Sequence, residues 1–497
     1  MTGTLPMTPP AYGALGAALG YYGFSVFSRS TNGILLLAVT LLSLTQVLAH
    51  SPELLVNTPN RCQGLRRGRV YTLALVLGLS LGLAAGSRVT PLWFGIPVDQ
   101  VRGISGTLQE DPRSLHERRG SGYLSLRSVS GNGGLWASAR GTLLVFFPDG
   151  VIPRLGKERE FGRGSGVYIE GILLTPDSGK ARWAFRAQAV HVLRPAPALE
   201  QIRTQWRMQL TARFAEAPWG GLAGALLLGV KDNLDTELSQ AYQAAGCSHV
   251  LALSGMHLAI FAGTLAFFLK KSLGRKAAAL LSACCVIGYV YLAGNLPSLE
   301  RAAIMYLLGT AAVLGSLPKP GPSLLGMSFL IQILLRPDSG QSVSCILSYL
   351  ALGGILFLGK AIHELIQGLI PEIIAQPLAV SLGAFVATAP GIASCFGVLR
   401  PIGILAGLII VPLTTVFMLG ALAALILPWS ALGQFLQFLY DVLNRLVSLA
   451  AVVPGISVAA TLSSAIPVSV LSLGVSAGLM VLSHRQKTRR NSLAPFD

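Results

Sequence analysis

The sequence predicts a polytopic α-helical membrane protein of about 11–12 transmembrane helices, with a re-entrant segment and an inserted extracytoplasmic all-β domain. Three observations carry this. Of 497 residues, 52% are hydrophobic and only 12% charged, where a soluble protein carries roughly a quarter. Apolar runs long enough to cross a bilayer recur along the chain. Between residues 98 and 195 the texture changes to short alternating runs separated by glycine-rich breaks.

Residues 11–27 and 33–49 read as two minimal spans. The first lacks the basic start of a cleaved leader and is expected to be retained. Arg61, Arg66, Arg67 and Arg69 mark the next loop as cytoplasmic, because Lys and Arg concentrate on that side. Residues 70–85 then cross outward and complete an N-terminal unit at 1–88. The formal charge of +17 is partly this topogenic arginine, and it also suits a polyanionic partner. Six cysteines, Cys62, Cys247, Cys284, Cys285, Cys345 and Cys395, form no C-x-x-C pair or zinc spacing. They read as small apolar thiols, and neither a metal nor a cofactor is expected.

Residues 103–108, 122–127, 141–147, 166–174 and 183–192 alternate as strands do. Five strands in about 100 residues fit a small Greek-key barrel of the OB type. Sites for single-stranded nucleic acid on such barrels combine a basic groove with aromatic platforms. Candidates are Tyr123, Trp136, Tyr168, Trp183 and Phe185, with Arg127, Arg140, Arg182 and Arg186. Residues 101–197 hold 14 basic against 8 acidic side chains, which favours phosphate. The same aromatics would serve equally as barrel core and the charges as a solvated rim.

Residues 198–217 carry Ile202, Trp206, Leu210 and Phe214 on one helical face, with Arg203, Arg207 and Arg213 on others. That pattern predicts an amphipathic helix lying along the outer interface. The membrane domain follows at 218–484. Its first apolar run, 220–230, is too short to span, and Lys231, Asp232, Asp235 and Glu237 interrupt it, as in a re-entrant element.

The stretch Gly246-Cys247-Ser248-His249-Val250-Leu251-Ala252-Leu253-Ser254-Gly255-Met256-His257 sets polar groups where a lipid-facing helix carries Leu or Val. Such groups usually face a bundle interior or a wet path. Ser254 suits the start of a new helix and Gly255 the break before it. His249, Ser254 and His257 therefore either line a passage or form a polar knot on the carbonyls of a broken helix. A helix starting at Ser254 would suit an anion. Ser254 beside His249 or His257 also invites an intramembrane serine hydrolase, although no second half of a dyad is recognisable on another span. A small-solute transporter would predict inverted repeats, and none is visible. Asp232, His249 and His257 have irregular spacing for a metal site.

Lys270, Lys271, Arg275 and Lys276 form a basic loop between apolar runs 258–269 and 277–293. Arg301, after Glu300, is expected near the outer mouth, where it meets phosphate or bonds Glu300 or backbone carbonyls. Pro377, Pro390 and Pro412 puncture two long uncharged runs, 373–399 and 401–440. Asp441 and Arg445 are four apart and can pair, on a helix that is either a pore-facing polar stripe or, as slightly favoured, an amphipathic interfacial one. Residues 465–482 read as the last span, and 485–497 as a cytoplasmic basic tail.

Leu226-Leu227-Leu228-Gly229, Leu234 and the stretch from Gly246 to His257 together resemble the signature of the ComEC family, competence proteins that form the inner-membrane channel for incoming single-stranded DNA. Arg301-Ala302, Ile346-Leu347-Ser348-Tyr349-Leu350-Ala351-Leu352-Gly353 and Leu405-Ala406-Gly407-Leu408-Ile409-Ile410-Val411-Pro412-Leu413 resemble three further family elements. The last has Gly407 where the family tends to have Asn. The resemblance implies a channel rather than an enzyme, with an OB-like domain at 98–195 and with His249, Ser254, Gly255, His257, Arg301, Asp232 and Ser348 along a DNA path. It implies membrane lipids, single-stranded DNA, a cytoplasmic helicase-like ATPase and an extracytoplasmic DNA-delivery protein as partners. No Gly-x-x-x-x-Gly-Lys-Ser/Thr phosphate loop occurs, so the energy is expected from elsewhere. Many members carry a metallo-β-lactamase-like domain; its His-x-His-x-Asp-His motif is not in this sequence, so any nuclease activity is expected either from a separate polypeptide or from a part of the protein outside this sequence.

Overall fold

The computed structural model describes residues 9–28, 74, 77, 78, 80–82, 84–115, 119–147, 161–175, 183–231, 233–294, 296–318, 320–427, 430–458 and 462–493. The span expected at 33–49, the loop with Arg61, Arg66, Arg67 and Arg69, and Cys62, Arg182 and Asp232 lie outside the described residues.

Helix α1 (Pro9–Ser28) is followed by a β-rich domain. Its strands are β1 (Trp93–Phe94), β2 (Val101–Leu108), β3 (Arg113–Leu115), β4 (Arg119–Gly131), β5 (Trp136–Arg140), β6 (Thr142–Phe147), β7 (Gly166–Leu174) and β8 (Ala184–Arg194). The five long strands pair β2 to β4, β4 to β6, β6 to β8, β8 to β7 and β7 back to β2. The sheet therefore closes on itself, with β6–β8 the one parallel pair of that ring. Closure removes the open edges that would invite pairing with other chains. Ile104, Leu124, Val145, Val167, Ile169 and Phe185 point inward and are fully buried, as alternation demands. Strands β1, β3 and β5 were not read from the sequence. The first two are only two and three residues long, and β5, Trp-Ala-Ser-Ala-Arg, lacks large inward side chains.

Helix α2 (Ala198–Ala212) presents its faces the other way round from a soluble helix. Leu199, Ile202 and Trp206 are exposed, whereas Arg203 is 1% exposed. An apolar face is turned outward and the Arg203 cation into the protein.

Short helices α3 (Gly220–Leu228), α4 (Thr236–Ala244) and α5 (Ser248–Leu251) come next. All but one residue of α3, Gly221, are buried, so this non-spanning segment is enclosed by protein, as depth in a bilayer requires. Helix α6 (Gly255–Ala293) folds back on itself at Gly274, whose φ of 74° and ψ of 172° interrupt it. Phe261 stacks on Tyr289 at 4.8 Å across the two arms. The basic loop of the sequence is thus a tight turn between antiparallel arms.

Helices α7 (Pro297–Leu314), α8 (Gly321–Leu335), α9 (Val343–Ile366), α10 (Glu372–Phe396), α11 (Ile402–Ile426), α12 (Ser430–Ala451) and α13 (Leu462–Leu493) complete the domain. By length and composition α6, α9, α10 and α11 can each cross a membrane; α8 and residues Pro467–Ser483 of α13 are shorter apolar helices. The chain is a multi-pass membrane protein. The 11–12 spans expected from sequence are not reached among the described residues. Helix α9 has a π-helical turn at Ile355–Gly359, where α10 crosses closely: a Cβ on Gly354 would lie 2.3 Å from the Gly383 carbonyl. Small residues at such crossings let helix backbones touch. Helix α12 buries Leu436, Leu439, Leu443 and Val447, one stripe at helical spacing. Asp441 accepts from Gln437 Nε2 at 3.0 Å; it forms no ion pair with Arg445, which corrects the pairing expected from their spacing.

Candidate functional site

The chain breaks between α5 and α6. Ala252 is extended, and Ser254, also extended, is the N-cap of α6. The Ser254 backbone N–H donates to His257 Nδ1 at 3.2 Å, and Ser254 Oγ lies 3.0 Å from the same nitrogen. Nδ1 is therefore the acceptor and the imidazole proton sits on Nε2. That Nε2 is buried without a partner. Ser298 Oγ donates to the Leu253 carbonyl at 3.2 Å and ties the break to α7. His249, one short helix earlier, is exposed and hydrogen-bonded to neither Ser254 nor His257.

Arg301 does not stand at an open mouth. It is 8% exposed, its Nη1 donates to the Ser348 carbonyl at 2.6 Å, and its guanidinium lies 5.8 Å from the Tyr349 ring. A Cβ on Gly255 would come within 2.8 Å of Arg301 Nη2, so only glycine leaves room for this side chain at the head of α6. Three stretches singled out in the sequence, Ser254-Gly255, Arg301-Ala302 and Ser348-Tyr349, meet here. The knot continues inward: Tyr349 OH donates to Gln332 Oε1 at 2.9 Å, and Gln332 Nε2 donates to the Pro297 carbonyl at 3.1 Å. Arg301 Nε is buried and unpartnered. Glu300 takes Arg336 instead, at 2.6 Å. Buried donors left without acceptors cost about 1–3 kcal/mol each. Two of them beside a helix N-terminus give this region a positive local field.

A charged hub that the sequence did not disclose joins the β-domain to the helices. Asp111 Oδ2 receives Arg203 Nη2 at 2.5 Å and Arg207 Nη1 at 3.0 Å. Glu200 Oε2 meets Arg203 Nε at 2.8 Å, and Arg163 Nη1 lies 3.6 Å from Glu200. Arg207 Nη2 also donates to the Leu228 carbonyl at the end of α3, at 3.3 Å. The i,i+3 spacing of Glu200 and Arg203 was visible. Asp111 lies 92 residues before Arg203 and gave no local signal.

On the β-domain the aromatic candidates divide. Phe185 is core, and Trp183 is half-buried against Phe94 at 6.0 Å between ring centres. Tyr123 is half-buried. Trp136, 56% exposed, lies 5.2 Å from Tyr168, which stacks at 6.1 Å and 22° on His191. These three form a row on the outward face across β5, β7 and β8. Tyr168 rests over Gly103, where a Cβ would come within 2.5 Å of its hydroxyl, and Ser130 Oγ lies 3.1 Å from that hydroxyl. Arg140 shares the outward parity of Trp136, and Arg127, Arg140 and Arg186 are all exposed. Sequence reasoning missed His191 and Gly103. The register Tyr168↔His191 brings the imidazole into the row, and only pairing reveals it. Among the described residues no three His, Cys, Asp or Glu side chains gather as a metal site.

The sequence model of the family described as "Competence protein" matches residues 226–486. The chain is also similar to ComE operon protein 3 of Bacillus subtilis (strain 168), 27% identical over 169 residues, which is 33% of this chain and 21% of that protein. It thus spans about a fifth of that curated relative's length. No solved structure matches.

Proposed function

This chain belongs to the competence protein family, and on that premise we propose that it serves DNA uptake as an inner-membrane channel passing single-stranded DNA to the cytoplasm. The observation that carries the reading is the outward row Trp136–Tyr168–His191, with Arg140 exposed on the same strand face as Trp136. Flat aromatic rings over a glycine floor give bases a stacking surface, and exposed guanidinium groups on the domain attract phosphate. The five long strands close in the order first, second, third, fifth, fourth, with the third and fifth parallel, which supports an OB-like reading of this domain.

In this proposal the β-domain faces outward and receives the strand. The hub of Asp111, Arg203 and Arg207 fixes that domain to α3 and the interrupted element. DNA then passes beside the head of α6, where the fixed charge of Arg301 and the N-terminus of α6 make a bilayer interior tolerant of phosphate. Membrane lipids surround the bundle. A cytoplasmic helicase-like ATPase pulls, an extracytoplasmic DNA-delivery protein feeds, and a separate nuclease removes the other strand.

The approach of Ser254 Oγ to His257 Nδ1 at 3.0 Å favours one rival, a serine hydrolase. A base must keep its lone pair for the nucleophile's proton, and here that lone pair also accepts the Ser254 backbone N–H. We therefore assign this pair to helix capping, not catalysis. Uptake of labelled DNA is measured in cells lacking this protein and rescued with wild type, Trp136→Ala/Tyr168→Ala, Arg301→Ala or Ser254→Ala. The channel reading expects no uptake in the deletion, full rescue by wild type and a deficit with the aromatic double variant. Normal uptake in the deletion overturns it. Full rescue by Ser254→Ala removes the hydrolase.

A further inference from the structure

The turn of the α6 hairpin carries Lys270, Lys271, Arg275 and Lys276, all exposed, and none is in an ion pair among the described residues. The arm from residue 255 to the turn is roughly 28 Å long at about 1.5 Å per residue, close to the thickness of a hydrocarbon core. The returning arm ends beside the hub: a Cβ on Gly294 would lie 3.3 Å from Arg203 Nη1. The turn therefore sits at the membrane surface opposite the β-domain.

A cavity of about 210 Å³ opens between this turn and the end of α7, lined by Arg275, Lys276, Ala312, Val313, Ser316 and Leu317. It is smaller than the roughly 300 Å³ of pockets for drug-sized ligands, and it suits a headgroup. The carbonyls of Ala312 and Val313 are taken by the backbone N–H groups of Leu317, at 2.8 Å, and Ser316, at 3.2 Å. Around the cations, Phe267, Phe268, Leu273 and Leu317 are exposed. Cations within a belt of aromatic and aliphatic side chains match a surface where acyl chains meet headgroups.

We propose that the cavity between the α6 turn and the end of α7 binds the phosphate of one anionic phospholipid, held by Arg275 and Lys276, with the acyl chains against Phe267, Phe268 and Leu317. A soluble polyanion would leave that apolar belt uncovered.

The full chain, reconstituted in nanodiscs of mixed phosphatidylglycerol and phosphatidylcholine, is transferred to detergent and its retained lipid counted by native mass spectrometry. Wild type is expected to keep one phosphatidylglycerol and lose phosphatidylcholine. Arg275→Gln/Lys276→Gln is expected to retain about 30-fold less, because two cations no longer face the phosphate. Ala312→Phe fills the cavity from an uncharged wall and is expected to expel the lipid with all four cations in place. Equal retention of both lipids, unchanged retention in the double variant or in Ala312→Phe, or displacement by inorganic phosphate or by an oligothymidylate overturns the assignment. The last two outcomes would mark a free-phosphate or a nucleic-acid site.

Discussion

Arg301 Nη1 and the Ser348 carbonyl, 47 residues apart in sequence, meet at 2.6 Å inside the helical domain. The partner is a carbonyl, so the buried cation keeps its net charge. Glu300, the adjacent carboxylate, is committed to Arg336. A charge at membrane depth is expensive, so its presence there usually marks a function. This one is held against the head of α6, whose own partial charge is also positive. The two contacts bring Gly255, Arg301 and Ser348, which lie far apart in the sequence, to the walls of a single knot.

Gly255→Ala tests that knot. The added Cβ would lie 2.8 Å from Arg301 Nη2 and 3.0 Å from the Ala302 Cβ. The overpacking is expected to cost about 1–3 kcal/mol, more than the helix gains from alanine at that position. Thermal unfolding in detergent measures it. Arg301→Ala removes the first contact and leaves the one to Ala302, so Gly255→Ala should then cost less than it does in the wild-type background. Equal costs in both backgrounds would show that the two residues do not share space.

Asp111→Asn removes the carboxylate from a hub in which Arg203 is 1% exposed. Arg203 keeps Glu200, so the loss is that of a charge-assisted hydrogen bond and is expected to cost about 1.5–3 kcal/mol. Limited proteolysis should then cleave between the β-domain and α2 faster than in wild type. Asp111→Leu/Arg203→Met should not recover the loss, because it takes Arg203 from Glu200 and Asp111 from Arg207 and leaves those charges without their partners.

The sequence made the long alternating strands and the apolar spans legible because each carries a periodic signal that needs no partner. Residues 166–174 as read coincide with β7, and the helix restart at Ser254 follows from a good capping residue after a break. What stayed hidden depends on pairing. Asp111 acquires its role only when the turn after β2 reaches α2, and His191 joins Trp136 and Tyr168 only through strand register. For Arg301 the sequence left phosphate, Glu300 and backbone carbonyls open, and the structure gives it a carbonyl, that of Ser348; the i to i+1 step of a helix turns Glu300 away from it, to Arg336.

Gly274→Ala probes the hairpin turn by conformation alone. The φ of 74° and ψ of 172° fall in a region that is essentially glycine's, and a Cβ there would touch nothing within 4 Å. The expected cost is about 1–3 kcal/mol. Gly274→Asn should be no better than alanine, since ψ lies outside the left-handed helical well that asparagine tolerates. A rescue by asparagine in thermal unfolding would mean that the turn adopts another geometry.

The aromatic row makes a prediction that separates stacking from charge. Trp136→Ala and Tyr168→Ala each remove one ring, and each is expected to weaken oligothymidylate binding by about 1–3 kcal/mol with the salt dependence unchanged. Gly103→Val should reproduce the Tyr168→Ala loss without touching an aromatic residue, because its side chain would occupy the space of the Tyr168 ring and hydroxyl. Arg140→Gln and Arg186→Gln should instead lower affinity and reduce the salt slope, by about 0.7 for each phosphate of a single strand that is no longer neutralised. Fluorescence titrations at several salt concentrations distinguish the two patterns. If the aromatic variants change the slope and the arginine variants do not, bases do not stack on this face, and the strand meets the domain through its phosphates elsewhere.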